Sequence, residues 1–271
     1  KPYAIFKSDM KDTYVDEMEI CSEFEEGIEK QEFQVFYQPV VDAKTGKIVS
    51  AEALVRWFRE QKGFISPGQF IPALEKGGYI SELDRYMIEK VTGCLDQRRA
   101  EKKRFVPVSV NLSWMDFYDE NMLEWIVRGL KKNNPNEQKI RFEITETSLA
   151  AIGENHTRML MHLKENGAEI LLDDFGSGYS SFGMLQDYDF DILKMDISFV
   201  RNIGVNKKSE SILRAIIDMA HQLEIRLIAE GAETEEQVAF LRANGCDYIQ
   251  GYYYYKPMPE NEFLQLLDEG K

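Results

Sequence analysis

Cysteine, histidine and long apolar runs are all scarce in this 271-residue sequence. The three cysteines are Cys21, Cys94 and Cys246. Their spacing suits neither a disulfide framework nor a zinc site, and the expected compartment is a reducing cytoplasm. The three histidines, His156, His162 and His221, fall in helix-like stretches with surface or packing roles. Acid–base work is thereby left to carboxylates and lysine. No apolar run approaches the roughly 20 residues of a membrane span, so no membrane contact is expected. Positive charge is short as well: 33 Lys and Arg stand against 47 Asp and Glu, a net charge of −14. Such a surface matches duplex nucleic acid or an anionic bilayer poorly. What is present is ample apolar material, 44% of residues. The length suits one large domain, and α/β barrels run about 200–250 residues.

Residues 1–10 read as a short strand without a partner, like the middle of something larger. Residues 11–31 carry Tyr14, Met18, Cys21, Phe24 and Ile28 at spacings of three or four, which predicts an amphipathic helix. Gln34–Val41 and Ile48–Trp57 are strands joined by a turn so short that they must be antiparallel. Ser66-Pro67 opens a helix with a cap and a first-turn proline. Ser81 to about Arg99 is another helix. Further strands are expected at 105–112, 139–145, 168–173, 191–196, 225–230 and 247–251. Helices are expected near 115–132, 154–166, 207–222, 233–244 and 260–268. Eight strands, the later ones alternating with helices, predict an α/β fold, a (β/α)8 barrel modified by its reversed first strand. An open doubly wound sheet is the structural alternative, but no Gly-x-Gly-x-x-Gly follows the first parallel strand.

Almost every expected strand carries a polar residue near its C-terminal end: Glu52, Asn111, Glu143, Asp173 with Asp174, Lys194 with Asp196, Glu230 and Gln250. A barrel brings those ends together at one face. One lysine cannot balance that many acids, and buried carboxylates need pairing or metal. Oxygen-only ligands suit Mg²⁺ or Mn²⁺. The strongest local signal is Leu171-Leu172-Asp173-Asp174-Phe175-Gly176-Ser177-Gly178, an apolar run that stops at two adjacent carboxylates. Lys194 and Asp196, two apart on a strand, point the same way; they form an internal ion pair or both face a water in the site. Asn111 satisfies a loop or gives an oxygen to a metal. Glu233 either favours a helix N-terminus or acts in the site. Arg56 forms a salt bridge or forks onto a phosphate oxygen. The run Tyr252–Tyr255 is mainly packing, with one ring free to stack on a base.

These motifs, Glu52-Ala53-Leu54, Asn111-Leu112-Ser113, Glu143-Ile144-Thr145-Glu146, Asp173 to Gly178, Lys194-Met195-Asp196, Ala229 to Glu233 and Gln250-Gly251-Tyr252, strongly resemble the EAL-domain family over about residues 22–268. The resemblance implies a modified TIM barrel with its first strand antiparallel. It implies hydrolysis of the bacterial second messenger cyclic di-GMP to linear pGpG by two-metal activation of water, with Mg²⁺ or Mn²⁺. Glu52, Asn111, Glu143 and Asp173 would hold one metal. Asp173, Asp174 and Glu230 would hold the other, with Asp196 nearby. Lys194 would contact the attacking water, and Glu230 and Glu233 would also serve catalysis, Glu233 by steadying the loop that begins at Asp174. Gln38, Leu54, Arg56 and Gln250 would touch the substrate. Residues 1–21 resemble the tail of an upstream GGDEF-like domain and its linker helix, leaving 22–271 as the phosphodiesterase domain. A homodimer is implied. Ser177 and Ala232 replace the usual threonine and valine, both mild changes. The rival from another class is a non-catalytic cyclic di-GMP receptor; a different Mg²⁺-dependent barrel, such as an enolase-type lyase, fits the motif order less well.

Overall fold

Eight strands close on themselves in the computed structural model, which describes residues 8–60, 62–132, 140–152, 157–178 and 181–270. Helix α1 (Ser8–Glu29) leads into β1 (Phe33–Asp42), β2 (Ile48–Arg59) and the short β3 (Gly63–Ile65). Then come α2 (Pro67–Gly77), α3 (Ile80–Ala100), β4 (Val108–Asn111), a 3-10 turn (Trp114–Tyr118) and α4 (Glu120–Lys132). The next elements are β5 (Ile140–Thr145), α5 (Glu146–Ile152), α6 (Thr157–Glu165), β6 (Glu169–Phe175) and α7 (Ser181–Asp187). The remainder is β7 (Ile192–Met195), α8 (Ile197–Arg201), α9 (Lys207–Gln222), β8 (Arg226–Glu230), α10 (Glu235–Ala243), β9 (Tyr248–Gln250), β10 (Met258–Pro259) and α11 (Glu260–Asp268). Strands β2, β4, β5, β6, β7, β8 and β9 run parallel, each beside the next. β1 closes the ring by pairing antiparallel with both β2 and β9. The reversed first strand expected from its tight turn is therefore present.

Side chains alternate along each strand, so every second residue points into the barrel. Read from one end to the other, that rule makes three layers. At the floor, Glu169 holds Arg141 at 2.5 Å and Arg226 at 2.8 Å. Above it, Val40, Leu171, Ile192 and Ile228 form a buried apolar plug, with Tyr248 against it. Two residues further on come Gln38, Asp173, Lys194, Glu230 and Gln250, joined by Glu52 and Glu143. The plug separates the floor from the polar groups above it, which gather at one mouth.

Outside, β1 and β2 continue past the barrel as a two-stranded wall. Its outer face carries Phe33 and Trp57, stacked with centroids 4.6 Å apart, and buries them against Phe24 of α1 and Phe70 of α2. α1 runs unbroken across positions 21 and 22. Its Glu17, Glu19 and Glu23 pair with Lys76, Lys62 and Arg59. The helix thus packs on the domain along its C-terminal half.

Several boundaries differ from the sequence expectations. The early strand expected at 1–10 lies largely outside the described residues, and Ser8 already begins α1. His156, Lys139, Tyr179 and Ser180 also lie outside them. β4 begins only at Val108, because Pro107 has no N–H to give to a ladder. The helix expected at 115–132 is two pieces: Ser113 caps the 3-10 turn, and extended Asp119 breaks it from α4. α10 starts after Thr234, its N-cap, so Glu233 lies outside that helix. The short elements α5, α7, α8, β3 and β10 had no clear period to announce them.

Candidate active site

Lys194 sits at the centre of the mouth, 1% exposed. Its ammonium lies 2.6 Å from Glu143, 2.7 Å from Glu230, 3.2 Å from Asp173 and 3.2 Å from Glu52. Four strands supply those acids: β2, β5, β6 and β8. Burial alone would lower the lysine's pKa; Asp173, Glu143, Glu230 and Glu52 together reverse that and hold it well above its ordinary value. The four acids thus favour its charged form.

One cation cannot neutralise the ring. Burial raises Glu143 well above the carboxylate range, and Glu52 adds to the rise. Burial also pushes Glu230 up to about 8, against the pull of Lys194. Asp174 is raised by burial and then by Asp173. Glu52 is the exception: burial opposes its charge, but Lys194 and hydrogen bonds from Gln250 and Asn111 outweigh that and lower it. Gln250 Nε2 donates to Glu52 at 2.6 Å and to Gln38 Oε1 at 3.2 Å. Asn111 Nδ2 reaches Glu52 at 3.4 Å.

Adjacent Asp173 and Asp174 should face opposite sides of a strand. A register shift between Leu172 and Phe175 breaks that alternation, and Asp174 takes the left-handed φ of 56°. An aspartate tolerates that conformation better than most residues. As a result Asp173, Asp174 and Glu230 each offer an oxygen within 4.8 Å of the others. Glu143 Oε1 is buried without a hydrogen-bond partner. An oxygen-only donor set, an excess of anions and an orphaned buried oxygen fit hard divalent cations.

The other expected residues divide. Gln38, Leu54 and Glu233 line an acidic cavity of about 270 Å³ together with Glu52, Asp173, Lys194, Glu230 and Gln250. Arg56 and Asn111 line a second, more apolar cavity of about 220 Å³ beside it, with Leu54 as the shared wall. Among the described residues Arg56 has no ion pair; its Nη1 donates to Val55 O at 2.8 Å. Asp196 lies one residue beyond the end of β7, so strand alternation does not aim it with Lys194. Its carboxylate caps α8, accepting from Ser198 N–H at 3.0 Å.

Glu146 is a residue whose part the motif reading left unassigned. Buried at the start of α5, it accepts the Gly176 N–H at 3.3 Å and so reaches the loop after Asp174. Glu233 instead sits at the rim, its own N–H given to Gln237 at 2.7 Å. The second acid in Glu143-Ile144-Thr145-Glu146 was the available signal for Glu146.

A barrel of this topology with this mouth has known counterparts. The chain belongs to the EAL domain family, whose model matches residues 22–257. The cyclic di-GMP phosphodiesterase NbdA of Pseudomonas aeruginosa is 30% identical over 243 residues, 90% of this chain and 31% of NbdA. Among solved structures, the EAL enzyme Bd1971 in its cAMP- and cyclic-di-GMP-bound form superposes with a TM-score of 0.84 at 30% identity, covering 94% of this chain and 70% of that one. The PaMucR phosphodiesterase in complex with c-di-GMP gives 0.81 at 29% identity, covering 90% of this chain and 99% of that one. The chain spans only about 30% of the length of the first curated relatives it matches.

Proposed function

We propose that this chain hydrolyses cyclic di-GMP to linear pGpG with two divalent cations, Mg²⁺ or Mn²⁺, as the phosphodiesterase part of a longer bacterial signalling protein. The single observation behind this reading is the ring of acids from four strands around Lys194. Its relatives' names support the substrate. Glu52, Asn111, Glu143 and Asp173 would hold one cation; Asp173, Asp174 and Glu230 would hold the other, near Asp196. When bound, such ions polarise a phosphoryl oxygen and lower the pKa of a water towards neutrality.

The chain's own groups do the rest. Lys194, kept charged by its acids, donates a hydrogen bond to the attacking water. Glu230 is, with Lys194, the nearest protein group to that water. Gln38, Leu54, Arg56 and Gln250 orient the dinucleotide, and the exposed ring of Tyr252 stacks on a base. Glu146, through the Gly176 N–H, and Glu233 both steady the loop that begins at Asp174. Residues 1–21 belong to the tail and linker helix of an upstream GGDEF-like domain, and the working form is a cytoplasmic homodimer. Among the described residues no helix is long and apolar enough to cross a membrane.

The test is product analysis of the chain with cyclic di-GMP and Mg²⁺, looking for pGpG. Glu52→Ala and Asp173→Asn should each lower turnover by about a hundredfold or more. Full turnover in either variant would sink the two-cation reading. Tight binding without product would point instead to a receptor.

A further inference from the structure

A cyclic dinucleotide carries two phosphodiester anions, and the acid ring, with cations bound, would attend to the one that is cut. The other needs a cation of its own. Of the residues lining the acidic cavity, two are cations, Lys194 and Arg201. Lys194 is enclosed by four carboxylates. Arg201, the last residue of α8, is exposed and has no carboxylate partner among the described residues. Arg56 faces the neighbouring apolar cavity, its guanidinium bonded to its own strand and 5.7 Å from the Phe36 ring.

The place of Arg201 is built into the fold. Asp196 caps α8 and sets its start. Ile197 then packs on the turn after Glu230 so closely that a Cβ on Gly231 would lie 2.0 Å from Ile197 Cγ1. Arg201 is four residues on, so it shares that helix face and stands about 6 Å further along the helix axis. A contact to the Glu230 turn thus fixes the helix end that carries Arg201 beside the cavity. Glu233 lines the same cavity and would repel a second phosphate if no cation stood there.

We propose that Arg201 anchors the uncut phosphate of the cyclic dinucleotide. This rests on the substrate proposed above. An arginine fork suits a phosphodiester, which offers two non-bridging oxygens.

The experiment compares the chain with Arg201→Gln and Arg201→Lys on two esters in Mg²⁺. Cyclic di-GMP has two phosphates; bis(p-nitrophenyl) phosphate has one. The Gln variant should raise KM for cyclic di-GMP about tenfold, with kcat little changed and the Lys variant recovering part of the loss. Its turnover of the one-phosphate ester should be unchanged. An unaltered KM for cyclic di-GMP overturns the proposal. So does an equal loss on both esters, which would mean that Arg201 merely supports the acid ring. If the chain binds but does not cleave, Kd replaces KM with the same expectations. If the unaltered chain neither binds nor cleaves cyclic di-GMP, the substrate reading falls as well; if it does either and the variants match it, only the anchor falls.

Discussion

Lys194 shows how little a residue's own chemistry says about its role. A lysine on a buried strand ordinarily sheds its proton, since burial disfavours charge. Here four carboxylates within 3.2 Å keep it charged, and it in turn lets them share a small volume. A second buried acid pair lies away from that ring. Asp84 of α3 and Asp116 both accept the Ser113 N–H, at 3.1 and 2.9 Å. Burial raises Asp84 well above the carboxylate range and Asp116 adds to it; burial raises Asp116 too. Two raised acids on one N–H are expected to hold one proton between them. A raised acid keeps its proton in the folded state when the unfolded chain has lost it. Its contribution to stability is full below the unfolded value of about 4 and declines as pH climbs towards the folded one. Asp84→Asn supplies a permanent N–H donor in place of that proton. The variant should gain stability relative to the parent as pH rises, seen in urea unfolding at about pH 5 and about pH 9. An equal slope in both proteins would mean that no proton is shared.

Among elements, two turns at the mouth carry the most constraint. Glu230 ends β8 and Gln250 ends β9, and the two are register partners. The turn after each then folds against the other: Tyr253 N–H donates to Ala232 O at 3.0 Å. A Cβ on Gly251 would meet Ala232 O at 2.2 Å. Backbone cannot swing away as a side chain can. Gly251→Ala should therefore destabilise the chain by roughly 2 kcal/mol or more and displace Gln250 from Glu52, with activity falling further than stability. Denaturant unfolding beside steady-state kinetics checks both; unchanged kinetics would contradict the lacing of these turns. The bulge in β6 is a similar device, since it alone lets two neighbouring aspartates serve one site.

For the whole molecule, the balance of charge at the mouth decides the behaviour. Acids from β2, β5, β6 and β8 meet above an apolar plug, and their mutual repulsion opposes barrel closure. A bound divalent cation would relieve it. Mg²⁺ or Mn²⁺ added to metal-stripped chain at about a hundred times its Kd should stabilise by about 2.7 kcal/mol and raise Tm by about 5 °C or more. Chelator should reverse the shift, and Asp173→Asn should remove most of it. A Tm indifferent to metal would show that the ring is satisfied by Lys194 and protons alone.

The alternation of strand and helix, the tight turn after β1 and the acids at strand ends were legible from the chain, because each depends on neighbours in sequence. So were Glu52, Glu143, Asp173, Asp174 and Glu230 as one cluster, once a barrel was supposed. Closure decided the rest. Only there does Lys194 face four acids at once, Glu146 reach the loop after Asp174 and Arg201 come to the rim. Those roles depend on contacts between residues from 21 to 142 positions apart, and local periodicity carries no record of such distances.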